Sequence, residues 1–368
     1  MKVLMISKAC LVGVYQTKLE EMAQFDDVDL TVLAPPAWLD ASGAVELERS
    51  HTEGYQLLVD PIRFNGQFHT YHFPTLKKRL ATLQPDILHI DEEPYNLATW
   101  LAWRQGRQVG AKTLFFSWQN LEKQYPIPFR QMEKQVLDGV DYAIMGNQEV
   151  AQVWRNKGYC GPYQIIPQFG VDPDIFSPPA HRDPGRGFII GAANRRLVPE
   201  KGVDLLLYAA ADLPGIWRLH IAGDGPTRPS LEQLARELNI ADRVHFDGPI
   251  SSARMPAYLQ QLDVLVLSSR TLPHWKEQFG RVLVEAMACE TAVVGACSGE
   301  IPHVIGEAGL TFAEDDTDDL RRQLMQLMQV EGLRNEYGRK GRQHVLAQYT
   351  QRQIAAQTVA VYRDMIAK

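Results

Sequence analysis

Short apolar runs alternate with longer amphipathic stretches along the whole chain. KVLMIS (2–7), DLTVLAP (29–35), DILHID (86–91), TLFFSW (113–118), YAIMGN (142–147) and YQIIPQ (163–168) read as strands buried on both faces, because apolar residues occupy consecutive positions rather than every second one. Segments of helical period separate most of them, which predicts parallel sheets covered by helices. The pattern breaks at PQFGVDPDIFSPPAHRDPGRG (167–187), dense in Pro, Gly and Asp, as an ordered turn followed by an interdomain linker would be. A second series then begins with GFIIGAA (187–193), WRLHIAGDG (217–225), RVHFDGP (243–249), DVLVLSS (263–269) and TAVVGAC (291–297). The expectation is two doubly wound α/β domains of similar size. The chain should close on an amphipathic helix over 350–368, with Thr350 as its cap and Ile354, Val361, Tyr362 and Met365 on its apolar face.

Composition narrows the function classes. A chain of 368 residues, 45% hydrophobic, can bury two cores. Its formal charge of −6 argues against a nucleic-acid partner, which calls for a basic surface. MKVLMISKACLVGVY imitates a signal peptide, but Lys8 interrupts the run and no small-residue cleavage site follows, so it reads as a first strand and its loop. No uncharged stretch approaches the roughly 20 residues of a membrane span. Cys10, Cys160, Cys289 and Cys297 lack metal-type spacing, which predicts free, mostly buried thiols and a cytoplasmic location.

Ligands of open α/β sheets bind beyond the carboxyl ends of the strands, so the chemistry is sought in the loops that follow the apolar runs. After FIIGAA comes NRRLVPEKG, which gathers Arg195, Arg196 and Lys201 ahead of Gly202 and the helix VDLLLYAAA. Helix amino ends attract phosphate through unpaired N–H groups and the dipole. KEQFGRVLVEAMA (276–288) carries Glu277 and Glu285 eight positions apart. In one continuous helix they would lie about 12 Å apart along the axis and roughly 80° apart around it. Phe279 and Gly280 instead predict Glu277 in the loop and Glu285 in the first turns of the helix. Paired hydrolysis of a glycoside asks for carboxyls about 5 to 5.5 Å apart across one bond, which this spacing does not supply. Carboxylates do accept hydrogen bonds well from vicinal hydroxyls. A basic loop with two hydroxyl-binding carboxylates describes a sugar-nucleotide site.

On these motifs the second half resembles a retaining glycosyltransferase of family 4. The similarity runs from NRRLVPEKGVDLLL through IAGDGPTRPSLEQLARELNIADRVHFDGPI and DVLVLSS to EQFGRVLVEAMACETAVVGACSGEIPHVIGEAGLTF. The resemblance implies the GT-B fold: two facing Rossmann-like doubly wound domains with a cleft between them. It divides the chain into an acceptor-binding domain (1–172), a linker (173–187), a nucleotide-sugar domain (188–349) and a last helix (350–368) packing back toward the first domain. It implies that Arg196 and Lys201 hold the diphosphate, Glu277 contacts donor-sugar hydroxyls and Glu285 binds the ribose diol. Gly248 and Ile250 would flank the base, and Phe279 and Gly280 would bring backbone amides to the donor. SGEIP (298–302) departs from the common Gly-Gly-Ile-Pro at Ser298 and Glu300.

The first half resembles the family less closely. LVGVYQTK keeps only Gly13 of a usually glycine-richer loop, as a donor-phosphate contact. FFSWQN offers Trp118, Gln119 and Asn120 where several relatives carry a histidine, so no histidine base is carried over. HIDEEPYN places Asp91, Glu92 and Glu93 after a strand, with Glu92 and Glu93 as acceptor-side candidates. The implied enzyme is a metal-independent hexosyl- or related transferase of glycan biosynthesis. It would use a UDP- or GDP-sugar as donor and no cofactor, and a glycan, lipid-linked or small-molecule hydroxyl as acceptor. A non-catalytic sugar-nucleotide-binding subunit stays open as the alternative. A dinucleotide-dependent oxidoreductase is disfavoured, since IAGDGP lacks the full glycine fingerprint. The acids of EDDTDD (314–319) read as a helix cap rather than a metal site, and His69, His72 and His89 form no local ligand set. KKR (77–79) leaves weak peripheral association with the inner face of a membrane open.

Overall fold

The computed structural model of the chain describes residues 1–40, 43–181, 184–330 and 332–367. Arg182 and Asp183 of the expected linker lie outside the described residues. The chain forms two compact units, Met1–Gly170 with Gln351–Lys368, and Val171–Thr350.

The strands of the first unit are β1 (Lys2–Ile6), β2 (Asp29–Ala34), β3 (Ala37–Asp40), β4 (Gly43–Glu46), β5 (Gln56–Val59), β6 (Ile87–Ile90), β7 (Lys112–Ser117), β8 (Tyr142–Met145) and β9 (Tyr163–Ile165). Seven of them make a parallel sheet in the order β5-β2-β1-β6-β7-β8-β9, while β3 and β4 pair as a separate antiparallel hairpin. The continuous apolar runs have the expected cause. Leu4, Ile6, Leu88, Ile90 and Phe115 enter a core on one face, and Val3, Met5, Ile87, Leu114 and Phe116 enter a core on the other. The closing helix, Gln351–Ala367, buries Ile354, Val361, Tyr362 and Met365 in the second of these cores. Tyr362 Oη meets His89 Nδ1 at 2.7 Å, and Arg363 grips Asp27 at 2.7 Å.

The strands of the second unit are β10 (Phe188–Arg196), β11 (Trp217–Asp224), β12 (Val244–Gly248), β13 (Val264–Leu267), β14 (Ala292–Ala296) and β15 (Leu310–Phe312). All are parallel, in the order β12-β11-β10-β13-β14-β15. From β10 the chain winds outward to β12 and then returns to start β13 on the other side. The carboxyl ends of β10 and β13 therefore flank the switch point, where a doubly wound sheet opens a crevice.

The strands absent from the apolar reading are β3, β4, β5 and β15. β3 and β4 stand outside the main sheets, and β5 and β15 are short edges with partly exposed residues, so their hydrophobic signal is weak. The thiol expectation needs correction, since Cys10 and Cys289 are buried but Cys160 and Cys297 are exposed. Asp316 caps the helix Thr317–Gln329 by accepting from Asp319 N at 2.9 Å, which accounts for part of the acidic run. Among the described residues, no helix is long and apolar enough to cross a membrane, and no cluster of His, Cys, Asp and Glu has the geometry of a metal site.

Candidate active site

In the second unit, the loop after β10 and the loop after β13 interlock through a glycine. Gly202 has φ +59°, and a Cβ there would stand 2.1 Å from the Ser268 carbonyl oxygen. Only glycine allows the two strand ends this approach. Ser268 Oγ in turn donates to the Lys201 carbonyl at 3.1 Å, so the backbone of Lys201 is held at the switch point. Its ammonium donates to Glu277 Oε2 at 2.6 Å and lies 4.6 Å from the centre of the Trp275 ring. Ser269 Oγ donates to the same carboxylate oxygen at 3.1 Å.

Glu277 is positioned from below by the SGEIP turn. Glu300 N donates to the Glu277 carbonyl at 3.2 Å, and a Cβ on Gly299 would lie 2.2 Å from that oxygen. Ser298, one of the departures from the family pattern, is buried with its hydroxyl 2.9 Å from Thr271 Oγ1, tying this turn to the same loop. Gly280, at φ +72°, breaks the chain between Glu277 and the helix Arg281–Ala288. Glu277 thus sits in the loop and Glu285 on the helix. Glu285 is buried, with Arg281 Nε 2.8 Å from its Oε1. Burial raises its pKa, and Arg281 opposes the rise.

The structure therefore joins Lys201 to Glu277 and leaves the other named residues with other neighbours. Arg195 and Arg196 are both exposed at the end of β10, and Arg196 makes no side-chain hydrogen bond or ion pair among the described residues. The register with β11 shifts between Ala193 and Arg196, so regular alternation does not assign these two side chains to opposite faces. Gly248 ends β12 at φ +71°, Ile250 packs on the adjacent core, and Phe279 meets Tyr349 edge-on at 5.7 Å. Ser268, Ser269 and Trp275 escaped the sequence reading. The two serines did carry a signal, since they directly follow the apolar run of β13 at its carboxyl end.

In the first unit, adjacent strands β1, β6 and β7 deliver polar residues to one end of the sheet. A cavity of about 360 Å³ is lined there by Lys8, Asp91, Glu92, Glu93, Trp118 and Gln168, together with aromatic and aliphatic side chains. Lys8 Nζ binds both oxygens of Glu92, at 3.2 and 2.9 Å. Asp91 accepts from Ser7 Oγ at 2.5 Å and Gln168 Nε2 at 2.9 Å. Glu93 accepts from Ser117 Oγ at 2.6 Å and Trp118 N at 2.8 Å. Glu92, Glu93 and Trp118 thus line the cavity. Gln119 instead accepts from Tyr125 Oη at 2.6 Å, and Asn120 donates to Glu149 at 3.3 Å; neither lines it. The Gly13 amide donates to the Glu48 carboxylate at 2.6 Å, so a carboxylate holds the N–H expected to meet a phosphate.

Desolvation pushes the Glu93 carboxyl up to about 7, with the Ser117 and Trp118 hydrogen bonds pulling the other way. The folded protein then holds a proton on Glu93 that the unfolded chain releases near the ordinary value of 4.5. Stability contributed by this group is therefore present at low pH and falls as pH rises from about 4.5 to about 7. Relative to Glu93→Gln, the unfolding midpoint of the unsubstituted chain should decline across that window and run parallel above it. A constant difference between the two chains would show that Glu93 does not titrate there.

Residues 183–344 match the family described as glycosyl transferases, group 1. The chain is 36% identical over 202 residues to a D-inositol 3-phosphate glycosyltransferase of Mycolicibacterium smegmatis, a match covering 51% of this chain and 44% of that protein. It spans about half the length of the curated relatives it matches. Sucrose-phosphate synthase from Thermosynechococcus elongatus shares the fold, with a TM-score of 0.72 at 19% identity over 100% of this chain and 99% of that one. So does Alr3699/HepE of Anabaena, solved in complex with UDP and glucose, with a TM-score of 0.68 at 16% identity over 99% and 100% of the two chains. The two Rossmann-like units are those of the GT-B fold.

Proposed function

Because residues 183–344 match the family described as glycosyl transferases, group 1, we propose that the chain transfers a sugar from a nucleoside-diphosphate donor to an acceptor hydroxyl, with retention at the anomeric carbon. The observation that carries this reading is the Lys201 ammonium, fixed at the switch point between the Glu277 carboxylate and the Trp275 ring. A diphosphate leaving group gains negative charge as its bond to the sugar breaks, and a preorganised cation stabilises that charge without reorganisation. Lys201 serves this role with Arg196, Glu277 receives hydroxyls of the donor sugar, and Glu285 receives the ribose diol. Gly248 and Ile250 flank the base, while Phe279 and Gly280 supply amides to the donor. As the bond from the anomeric carbon to the phosphate oxygen breaks, the acceptor oxygen bonds to that carbon on the same face. The acceptor proton passes to the departing phosphate oxygen. The first unit, with Glu92, Glu93 and Trp118 in its cavity, receives the acceptor.

The donor is a UDP- or GDP-sugar, and the reaction proceeds without a divalent metal because side-chain cations face the diphosphate. The enzyme acts in the cytoplasm, at a glycan, lipid-linked or small-molecule acceptor. Release of nucleotide from a panel of UDP- and GDP-sugars, with and without EDTA, tests this. UDP-sugars come first, since a protein of like fold was solved with UDP. Turnover of one donor, undiminished by EDTA, is the expected result; turnover only with added Mg²⁺ or Mn²⁺ would end the metal-free mechanism. The Glu48 carboxylate on the Gly13 amide favours a second reading, a subunit that binds a nucleotide sugar without turning it over. Donor binding with no turnover of any donor would select it.

Glu285→Ala should raise KM for the donor and spare kcat, because ribose contacts are alike in the ground and transition states. Hydrogen bonds to a charged group contribute about 1.5 to 3 kcal/mol, so the rise should be roughly tenfold to a hundredfold. An unchanged KM with a collapsed kcat would remove Glu285 from the ribose.

A further inference from the structure

The cavity of the first unit carries its own statement about the acceptor: we propose that it takes a polyhydroxylated ring bearing no acidic group, and selects against phosphorylated and carboxylated counterparts. Naming this ligand the acceptor rests on the glycosyltransferase reading; the recognition chemistry rests on the cavity alone.

Three carboxylates line the cavity, from Asp91, Glu92 and Glu93, against one cation, Lys8. That cation is already engaged. Its ammonium contacts both oxygens of Glu92 and stands 4.4 Å from the centre of the Phe68 ring, with Trp38 at 5.4 Å and Tyr71 at 5.5 Å. Lys18 lies buried close by and donates to the Gln168 carbonyl at 2.8 Å, but it is not part of the lining. Burial lowers its pKa, and the charge of Asp91 opposes the fall. Even with Glu93 counted as protonated, the lining carries more negative than positive charge. An incoming phosphate or carboxylate would meet Asp91 and Glu92 without a free cation to pair with.

The same groups suit hydroxyls. An ionised carboxylate oxygen has two lone pairs, and each Asp91 oxygen receives one hydrogen bond from a named donor, leaving acceptor capacity for ligand O–H groups. The rest of the lining is largely apolar, with Trp38, Phe68 and Trp118 available to the C–H faces of a ring. Trp118 is fixed in place. Its Nε1 donates to Gln168 Oε1 at 3.0 Å, and its ring lies over Gly146, where a Cβ would come within 2.2 Å of it. A volume of about 360 Å³ falls at the small end of ligand sites, which fits a single sugar or cyclitol ring.

Calorimetric titration of the full chain tests this with matched pairs: glucose against glucose 6-phosphate and glucuronate, and myo-inositol against its monophosphate, each with and without UDP or GDP. At least one neutral ring should bind, and its acidic counterpart should bind roughly tenfold to a hundredfold more weakly. Trp118→Ala should weaken the neutral ring at least about fivefold, which places binding in this cavity. Glu92→Gln removes one charge and releases Lys8, so it should narrow the gap to within roughly threefold; its unfolding midpoint checks that it is folded. Tighter binding of the acidic member, no binding by any ring, or a Trp118 variant that binds normally would overturn the inference. Neutral rings that bind while no donor turns over would leave it standing and defeat the glycosyltransferase reading instead.

Discussion

Lys201→Ala is expected to lower kcat at saturating donor by roughly 10²–10³, by comparison with the loss of other preorganised groups that stabilise transition-state charge. Two effects act together. On the proposed mechanism the variant loses the ammonium that faces the developing charge, and Glu277, whose Oε2 receives the lysine at 2.6 Å, loses that cationic donor while keeping Ser269 Oγ. A carboxylate that has lost its cation repels a nearby diphosphate more as negative charge grows, so the loss falls on kcat rather than on KM alone. Arg196→Ala should reduce kcat less, by about tenfold, because an exposed guanidinium is screened by solvent and salt. Arg195→Ala is the control, since this exposed residue has no role in the proposed donor site, and it should leave turnover unaltered. Each variant's unfolding midpoint separates loss of chemistry from loss of fold. A folded Lys201→Ala protein with near-normal kcat would mean that this lysine only braces Glu277.

Gly202→Ala should produce the largest loss of stability among substitutions at the site. An L-residue in the left-handed region costs about 1–2 kcal/mol by itself. Here the new Cβ would also stand 2.1 Å from a backbone oxygen, that of Ser268, which cannot rotate away as a side chain could. The strand ends of β10 and β13 must separate, and the hydrogen bond from Ser268 Oγ to the Lys201 carbonyl goes with them. The expected cost is about 3 kcal/mol or more, a fall in the unfolding midpoint of roughly 6 to 12 °C, with kcat reduced because Lys201 moves. Gly215→Ala isolates the conformational part, since Gly215 has φ +75° with no atom within 4 Å of its would-be Cβ. If the two variants lost equal stability, the contact with Ser268 would carry no weight.

How far the site was legible differs between residues that look alike in the sequence. Glu277 and Glu285 were separable by local means, because Phe279 and Gly280 interrupt the helical period and Gly280 takes φ +72° ahead of Arg281. The partner of Glu285 was within local reach too, since Arg281 precedes it by four positions on the same helix face. The partner of Glu277 was not: Lys201 lies 76 positions away, and only the β10–β13 adjacency brings them together. Gln119 and Asn120 follow Trp118 directly, yet Tyr125 and Glu149 hold them out of the cavity that Trp118 lines.

Strands, helices and the double winding were available from the sequence because the backbone itself imposes their periods, and a strand buried on both faces must be apolar at consecutive positions. The turns at Gly202 and Gly280 were marked for the same local reason, as places where a Cβ is costly. Which side chains meet is a different quantity. It depends on strand order and register, so Lys8 from the β1 loop, Trp38 from the β3–β4 hairpin, Phe68 and the acids after β6 become neighbours without any shared local pattern. The charge state of Glu93 belongs to this second class, since desolvation by groups distant in sequence raises its pKa. Periodicity is a property of a segment, while a cation held between a carboxylate and a ring exists only once the sheet has set the distances.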